Sequence, residues 1–181
     1  MRMISRRRIF IRQTPGSVRL PNLLLIVSGV AALSLVWWLQ NRMGMVPCAL
    51  CFWERWPWRI AIAIGVIGMI VPRRWAVPVA VLGVPALLAD MVLSLVHAGV
   101  EWGFWPSPLP ECAAPQLKGQ TIAERLASMP LHPGKPCDQP TYLFNWLPIS
   151  LTVMGGLAAC AVLIGLLVLV VTLGGRTAGR R

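Results

Sequence analysis

Apolar residues arrive in this chain in four blocks, residues 23–39, 60–71, 75–96 and 147–173, separated by short polar stretches. A hydrocarbon core about 30 Å thick takes roughly 20 apolar helical residues to cross. The second block has 12 residues and covers only about 18 Å at 1.5 Å per residue. Its helix must therefore begin earlier, near residues 52–56, which draws Glu54, Arg55 and Arg59 to the membrane boundary. The fourth block, about 40 Å if fully helical, must tilt, kink near Gly155 and Gly156, or protrude. Composition agrees: 56% of residues are apolar and 13% charged, against about 45–50% and 25% in an ordinary soluble domain. A soluble enzyme and a disordered chain are both disfavoured. The expectation is an all-α membrane protein, a four-transmembrane-helix bundle forming a single domain over residues 1–181, with spans at about 22–41, 54–71, 75–97 and 146–173. A basic arm before an apolar block also opens a cleaved signal peptide. Here the block ends in Trp37, Trp38 and Leu39 with no small-residue cleavage pattern, so a retained helix is expected.

The formal charge is +11, and its placement selects an orientation. Arg2, Arg6, Arg7, Arg8, Arg12 and Arg19 precede the first span, Arg73 and Arg74 follow the second, and Arg176, Arg180 and Arg181 follow the fourth, with no acid among them. The opposite side mixes Arg42, Arg55, Arg59, Lys118, Arg125 and Lys135 with acids. The positive-inside rule then puts both termini in the cytoplasm. Two segments face outward, a short one at about 42–53 and a longer one at about 98–145. The basic residues are topology signals, and no nucleic-acid partner is expected. Trp37, Trp38, Trp53, Trp56, Trp58, Trp102, Trp105 and Trp146 fall near the proposed outer boundary, as an interfacial aromatic belt would.

Of the five cysteines, Cys48, Cys51, Cys112 and Cys137 lie in the two outward segments, and Cys160 sits midway along the fourth span as a small hydrophobe. Outside the cytoplasm thiols persist as disulfides. Cys48-Ala-Leu-Cys51 is compatible with half a zinc site, a redox dithiol or a haem attachment. Haem attachment needs a His where Phe52 stands, and a soluble thioredoxin-like domain needs a βαβ pattern that is missing. A zinc site completed by Cys112 and Cys137 is disfavoured by their wide separation and the oxidising compartment, so no metal is expected. Pro47 suits a helix start, which places Cys48 and Cys51 in a first turn where the helix dipole favours thiolate. Arg55, one turn beyond Cys51 on the same face, would stabilise a Cys51 thiolate and offer hydrogen bonds to a ligand oxygen. The competing role for Arg55 is an interfacial anchor paired with Glu54; for Arg59 an anchor is the preferred role.

In the longer outward segment, Ile122, Leu126 and Met129 follow a helical spacing with polar neighbours, the pattern of a short amphipathic helix in the interface. If Cys112 and Cys137 pair, their bridge closes this Pro-rich loop. An exchange-competent bridge is favoured over a purely structural one because a second dithiol lies at the same membrane face.

The stretch Cys48-Ala-Leu-Cys51-Phe-Trp-Glu54-Arg55-Trp-Pro57 resembles the Cys-x-Leu-Cys-x-x-(Gln/Glu)-Arg-x-Pro segment of the bacterial disulfide bond formation protein B (DsbB) family. The spacing of Cys112 and Cys137 and the four spans resemble that family as well, from about residue 22 to 172. The resemblance implies a bacterial inner-membrane oxidoreductase with its redox cysteines on the periplasmic side. It would oxidise a periplasmic thioredoxin-fold, DsbA-like partner and pass the electrons to membrane quinone, ubiquinone or menaquinone. Carried over by position, Cys112 would form the mixed disulfide with the partner, and Cys137 would exchange with the first pair at Cys48. Cys51 would sit against the quinone ring, and Arg55 would polarise a quinone oxygen. A DsbA-type oxidant lies near −120 mV and common dithiols near −180 to −270 mV, so drawing electrons from it runs uphill by about 3–7 kcal/mol without a further acceptor. Quinol formation also takes up protons, and Asp90, His97 and Glu101 share one approximate face if the third helix continues past Gly99. An intramembrane Asp is a functional suspect, and His97 is a candidate proton donor or quinone-side group that Glu101 could orient. The alternatives are a vitamin K epoxide reductase-like enzyme and a non-catalytic membrane scaffold with structural disulfides.

Overall fold

The computed structural model describes residues 17–112, 120–128, 135–144 and 146–178, with side chains through Leu173. The basic arm before residue 17, Lys118, Met129 and the side chains of the basic tail lie outside the described residues. Helix α1, Leu20–Arg42, follows a short 3-10 turn and carries Pro21 in its first turn, where a missing N–H costs no hydrogen bond. It ends before Gly44, whose positive φ of 65° turns the chain. Two helices follow in quick succession, α2, Ala49–Trp53, and α3, Arg55–Ile70. Val71 is extended ahead of Pro72, as a residue preceding proline prefers, and so stops α3.

The third apolar block forms two helices, α4, Arg73–Val81, and α5, Gly83–Glu101. The break at Leu82 was not expected. Pro85 has no N–H to give the Val81 carbonyl and its ring crowds that carbonyl, so the ladder stops and Leu82 N bonds Val79 O at 3.0 Å instead. Helix α5 runs past Gly99 to Glu101. In the outward loop, α6, Ile122–Ala127, starts with a capping box between Thr121 and Glu124. The last helix, α7, spans Leu151–Ala178. It begins at Leu151 because Pro148 and a bridge between Tyr142 and Ser150 hold the preceding segment extended, and Ser150 Oγ accepts from Val153 N. The helix has no break at Gly155 and Gly156. Gly156 instead lets α7 approach Ser94 of α5.

Leu20–Arg42, Arg73–Glu101 and Leu151–Leu173 are each long and apolar enough to cross a membrane. Helix α3, with 16 residues, covers about 24 Å. A core of Leu25, Ala61, Leu87, Ala159 and Leu166 joins α1, α3, α5 and α7. Small residues let the helices close up: a Cβ at Gly65 would press on the Asn22 carbonyl, and Gly68 faces the Asn22 side chain. Asn22 is buried and donates to Ala76 O at 2.8 Å, tying α1 to α4. The outward faces carry Val27, Ile67, Leu95 and Val171, all exposed, as helices in contact with lipid require. The protein is an all-helical membrane protein, with no β-strand among the described residues.

A second buried cluster sits where the loops meet the bundle, and contains Cys48, Leu50, Val100, Cys112 and Cys137. The start of the long loop is fixed to α5 by Trp105. Its ring lies on Gly99, leaving no space for a Cβ there, and its Nε1 donates to Val96 O at 3.0 Å.

Candidate functional site

Cys48 is extended, with φ −87° and ψ 171°, and serves as the N-cap of α2. This is the reason for its position just outside the helix: its sulfur accepts from Cys51 N at 3.2 Å, a role normally taken by a hydroxyl or carboxylate. The turn brings the two free thiols together, with Cys48 Sγ 2.6 Å from Cys51 Sγ. The two sulfurs share one hydrogen bond in which either can donate, and this bond, with help from the Cys51 backbone N–H, pulls the Cys48 thiol below its ordinary pKa against the opposing effect of burial. The same bond, then burial, pushes Cys51 up.

His97, 2% exposed, reaches the pair from α5. Its Nε2 is 3.4 Å from Cys48 Sγ, and its Nδ1 is 3.0 Å from Glu54 Oε1 and 3.2 Å from Thr152 Oγ1. Thr152 in turn donates to Glu101 Oε1 at 2.9 Å, while that oxygen is 3.9 Å from His97 Nε2. The two ends of α2, with α5 and α7, thus converge on one imidazole. The sequence suggested Glu101 as the residue that orients His97, but Glu54 makes the closer contact. Glu54 was visible only as a neighbour of Arg55, and Thr152 carried no signal beyond being a lone hydroxyl in an apolar block.

These groups line a cavity of about 270 Å³ whose far wall is apolar, including Leu33, Val36 and Leu39 of α1. Cys48, Cys51, Arg55, His97, Asp90 and Glu101 all face it. Arg55 stacks over the Phe52 ring at 4.5 Å, and its buried Nε and Nη2 have no hydrogen-bond partner. Asp90 is 1% exposed and neither carboxylate oxygen is hydrogen-bonded. Trp58 is buried on the cavity wall and so is not part of an exposed aromatic belt, whereas Trp37, Trp38, Trp53, Trp56, Trp102 and Trp146 are exposed. Arg59 stands over Trp56 at 5.2 Å and does not line the cavity, and Cys160 is likewise away from it.

Cys112 and Cys137 form a disulfide across 25 positions, reinforced by Cys137 N donating to Cys112 O at 3.2 Å. A bridge between them takes two thiolates out of any four-cysteine zinc set. Both sulfurs are buried against Cys48 and Leu50, so the two pairs meet at one packing interface. An oxidised pair packed beside a reduced dithiol is an arrangement for thiol–disulfide exchange, since attack needs a thiolate and access to the disulfide sulfur.

Comparison with curated proteins finds no match, and neither does comparison with solved structures. The sequence profile for disulfide bond formation protein DsbB matches residues 18–173, from the turn ahead of α1 to the last described side chain of α7. That span covers the cavity, the capping dithiol and the loop disulfide together, and the chain belongs to the DsbB family of membrane disulfide bond formation proteins.

Proposed function

We propose that this protein reoxidises a periplasmic thioredoxin-fold, DsbA-like thiol oxidase and delivers the electrons to membrane quinone, ubiquinone or menaquinone. In this reading four spans cross the bacterial inner membrane, α3 being the short one with α2 at its outer end, and both loops lie on the periplasmic side. The observation that carries the proposal is the cavity at Cys51, where a polar rim that includes Arg55 meets an apolar wall from α1.

The residues fit a quinone. Two unpartnered Arg55 nitrogens suit a carbonyl oxygen, and the wall from α1 suits a ring and its isoprenoid tail. When bound, a quinone supplies an acceptor for two electrons and two protons. The chain's own residues do the rest. A thiolate of the partner attacks Cys112, breaking the Cys112–Cys137 bond and releasing Cys137 as thiolate. Cys137 attacks Cys48 of the oxidised first pair, and Cys51 leaves as a thiolate facing the cavity beside Arg55. The partner's second thiol displaces Cys112 from the mixed disulfide, and Cys112 displaces Cys48 from Cys137. The outcome is an oxidised partner, a restored Cys112–Cys137 bridge and a reduced Cys48–Cys51 pair. The bridged loop pair and free capping thiols correspond to that stage. Arg55 holds the acceptor oxygen and the leaving sulfur. His97, Glu101 and Asp90 supply protons along the α5 face.

The test mixes purified protein, quinone and reduced DsbA-like substrate and follows quinone absorbance with and without Cys51. Loss of quinone reduction in Cys51→Ala supports the reading. Undiminished quinone reduction in that variant overturns it.

A further inference from the structure

The reduced pair and His97 also make a donor set of a different kind. Cys48 Sγ, Cys51 Sγ and a His97 nitrogen all lie within 4.8 Å of one another. Bond lengths of about 2.3 Å for Zn–S and 2.0–2.1 Å for Zn–N imply tetrahedral edges of about 3.5 Å between sulfur and nitrogen and about 3.8 Å between sulfurs. The Cys48 Sγ to His97 Nε2 distance is 3.4 Å, already that of the first edge. The sulfur pair has to open from 2.6 Å, and Cys51, half-buried, faces the cavity.

The surroundings of His97 point the same way independently. Its Nδ1 lies 3.0 Å from Glu54 Oε1 and its Nε2 faces Cys48 Sγ, so in the tautomer that donates from Nδ1 to the carboxylate the Nε2 lone pair is aimed at the sulfurs. A carboxylate on the far nitrogen of a ligating imidazole is the arrangement that fixes ring and tautomer in zinc sites. The fourth position opens into the cavity, where Glu101, 2% exposed, stands 3.9 Å from the same Nε2 with its second oxygen unpartnered.

We propose that the reduced protein binds one Zn²⁺ ion through Cys48, Cys51 and His97, with the fourth position open to the cavity and Glu54 holding the imidazole. Binding forms two Zn–S bonds and releases the thiol protons to solvent; no electrons move. The site exists in one redox state only, because disulfide sulfurs are not thiolate donors. Zinc and oxidation of the pair exclude each other, so the ion halts electron delivery until it is withdrawn. The site requires the reduced dithiol and nothing of the acceptor, so its test stands apart from the quinone reading.

The test uses detergent-purified, metal-stripped full chain with Co²⁺ as the spectroscopic probe, in the absence of partner and quinone. It is run on the wild-type chain and on a Cys112→Ser, Cys137→Ser double variant, where the loop can supply no thiolates. With the Cys48–Cys51 pair reduced, one Co²⁺ per chain is expected, with thiolate charge-transfer and tetrahedral ligand-field bands that Zn²⁺ abolishes. Oxidising the pair in the same protein removes them, a control that involves no folding risk. Glu54→Gln, which leaves every direct donor in place, weakens binding about 10- to 100-fold, and His97→Ala weakens it further. Four results would each overturn the proposal: no binding to the reduced chain, binding that survives oxidation of the pair, undiminished binding in His97→Ala, or binding lost in the double variant.

Discussion

Cys48 and Cys51 stand on one helical cap, three residues apart, and their environment follows almost entirely from local backbone geometry. Cys112 and Cys137 come together from positions 25 apart through loop packing. The first pair is set by a rigid helix start and faces a cavity; the second is set by the closure of a long loop and faces the first. A local pair has a fixed geometry, because the N–H donor to Cys48 is built into the turn. A loop pair has its reactivity set by whatever it packs against. In the proposed function the helix-cap pair takes the electron-delivering step and the loop pair the partner-facing one.

The sharpest way to break this division is to remove one sulfur from each pair. Cys48→Ser and Cys112→Ser are each expected to reduce oxidation of a reduced thioredoxin-fold partner to background while membrane insertion is unchanged. Equal expression with partner oxidation intact in either variant would return that pair to a structural role. Next in size, Arg55→Ala is expected to raise the apparent KM for quinone about tenfold, equivalent to about 1.4 kcal/mol, with the disulfide exchange between the pairs unaffected. Stopped-flow exchange and steady-state quinone kinetics separate the two.

Proton distribution within the rigid pair gives a smaller but more specific effect. Because Cys51 is the principal cause of the low Cys48 pKa, thiolate absorbance of the reduced, metal-free protein should appear below the ordinary thiol range, and Cys51→Ala should move it upward. An unchanged midpoint in that variant would place the stabilisation elsewhere. Smallest of all is the loop helix. The Thr121 and Gln120 backbone N–H groups lower the Glu124 pKa. A depressed carboxylate contributes stability that is present above its unfolded pKa and lost as pH falls through its folded one. Helicity of α6 should therefore decline slightly on acidification, and Glu124→Gln should flatten that dependence in backbone amide exchange.

Much of the rigid pair could be read from the sequence, and little of its surroundings. Pro47 ahead of Cys48, the spacing to Cys51 and an Arg one turn on are local features, so a helix start with a dithiol was legible. The Cys48 N-cap conformation was not, since a cysteine is an unusual cap. The long apolar blocks announced α1, α5 and α7, but Pro85 acted as a helix breaker at Leu82 only because the Val81 carbonyl precedes it by one turn. The Gly155 and Gly156 pair suggested flexibility and instead served close packing on Ser94. The Glu54–His97–Thr152–Glu101 set joins three helices. Periodicity along one helix cannot reveal which residue of another will face it.

Trp105 sets a limit on how far chemistry can travel from the bilayer. With its ring seated on Gly99 and its nitrogen tied to Val96, the chain leading to Cys112 is a seven-residue leash, at most roughly 25 Å long even when drawn straight. In the proposed function, whatever exchanges electrons with Cys112 must come down to the membrane surface to meet it, so a soluble partner docks within one small protein's diameter of the lipid headgroups.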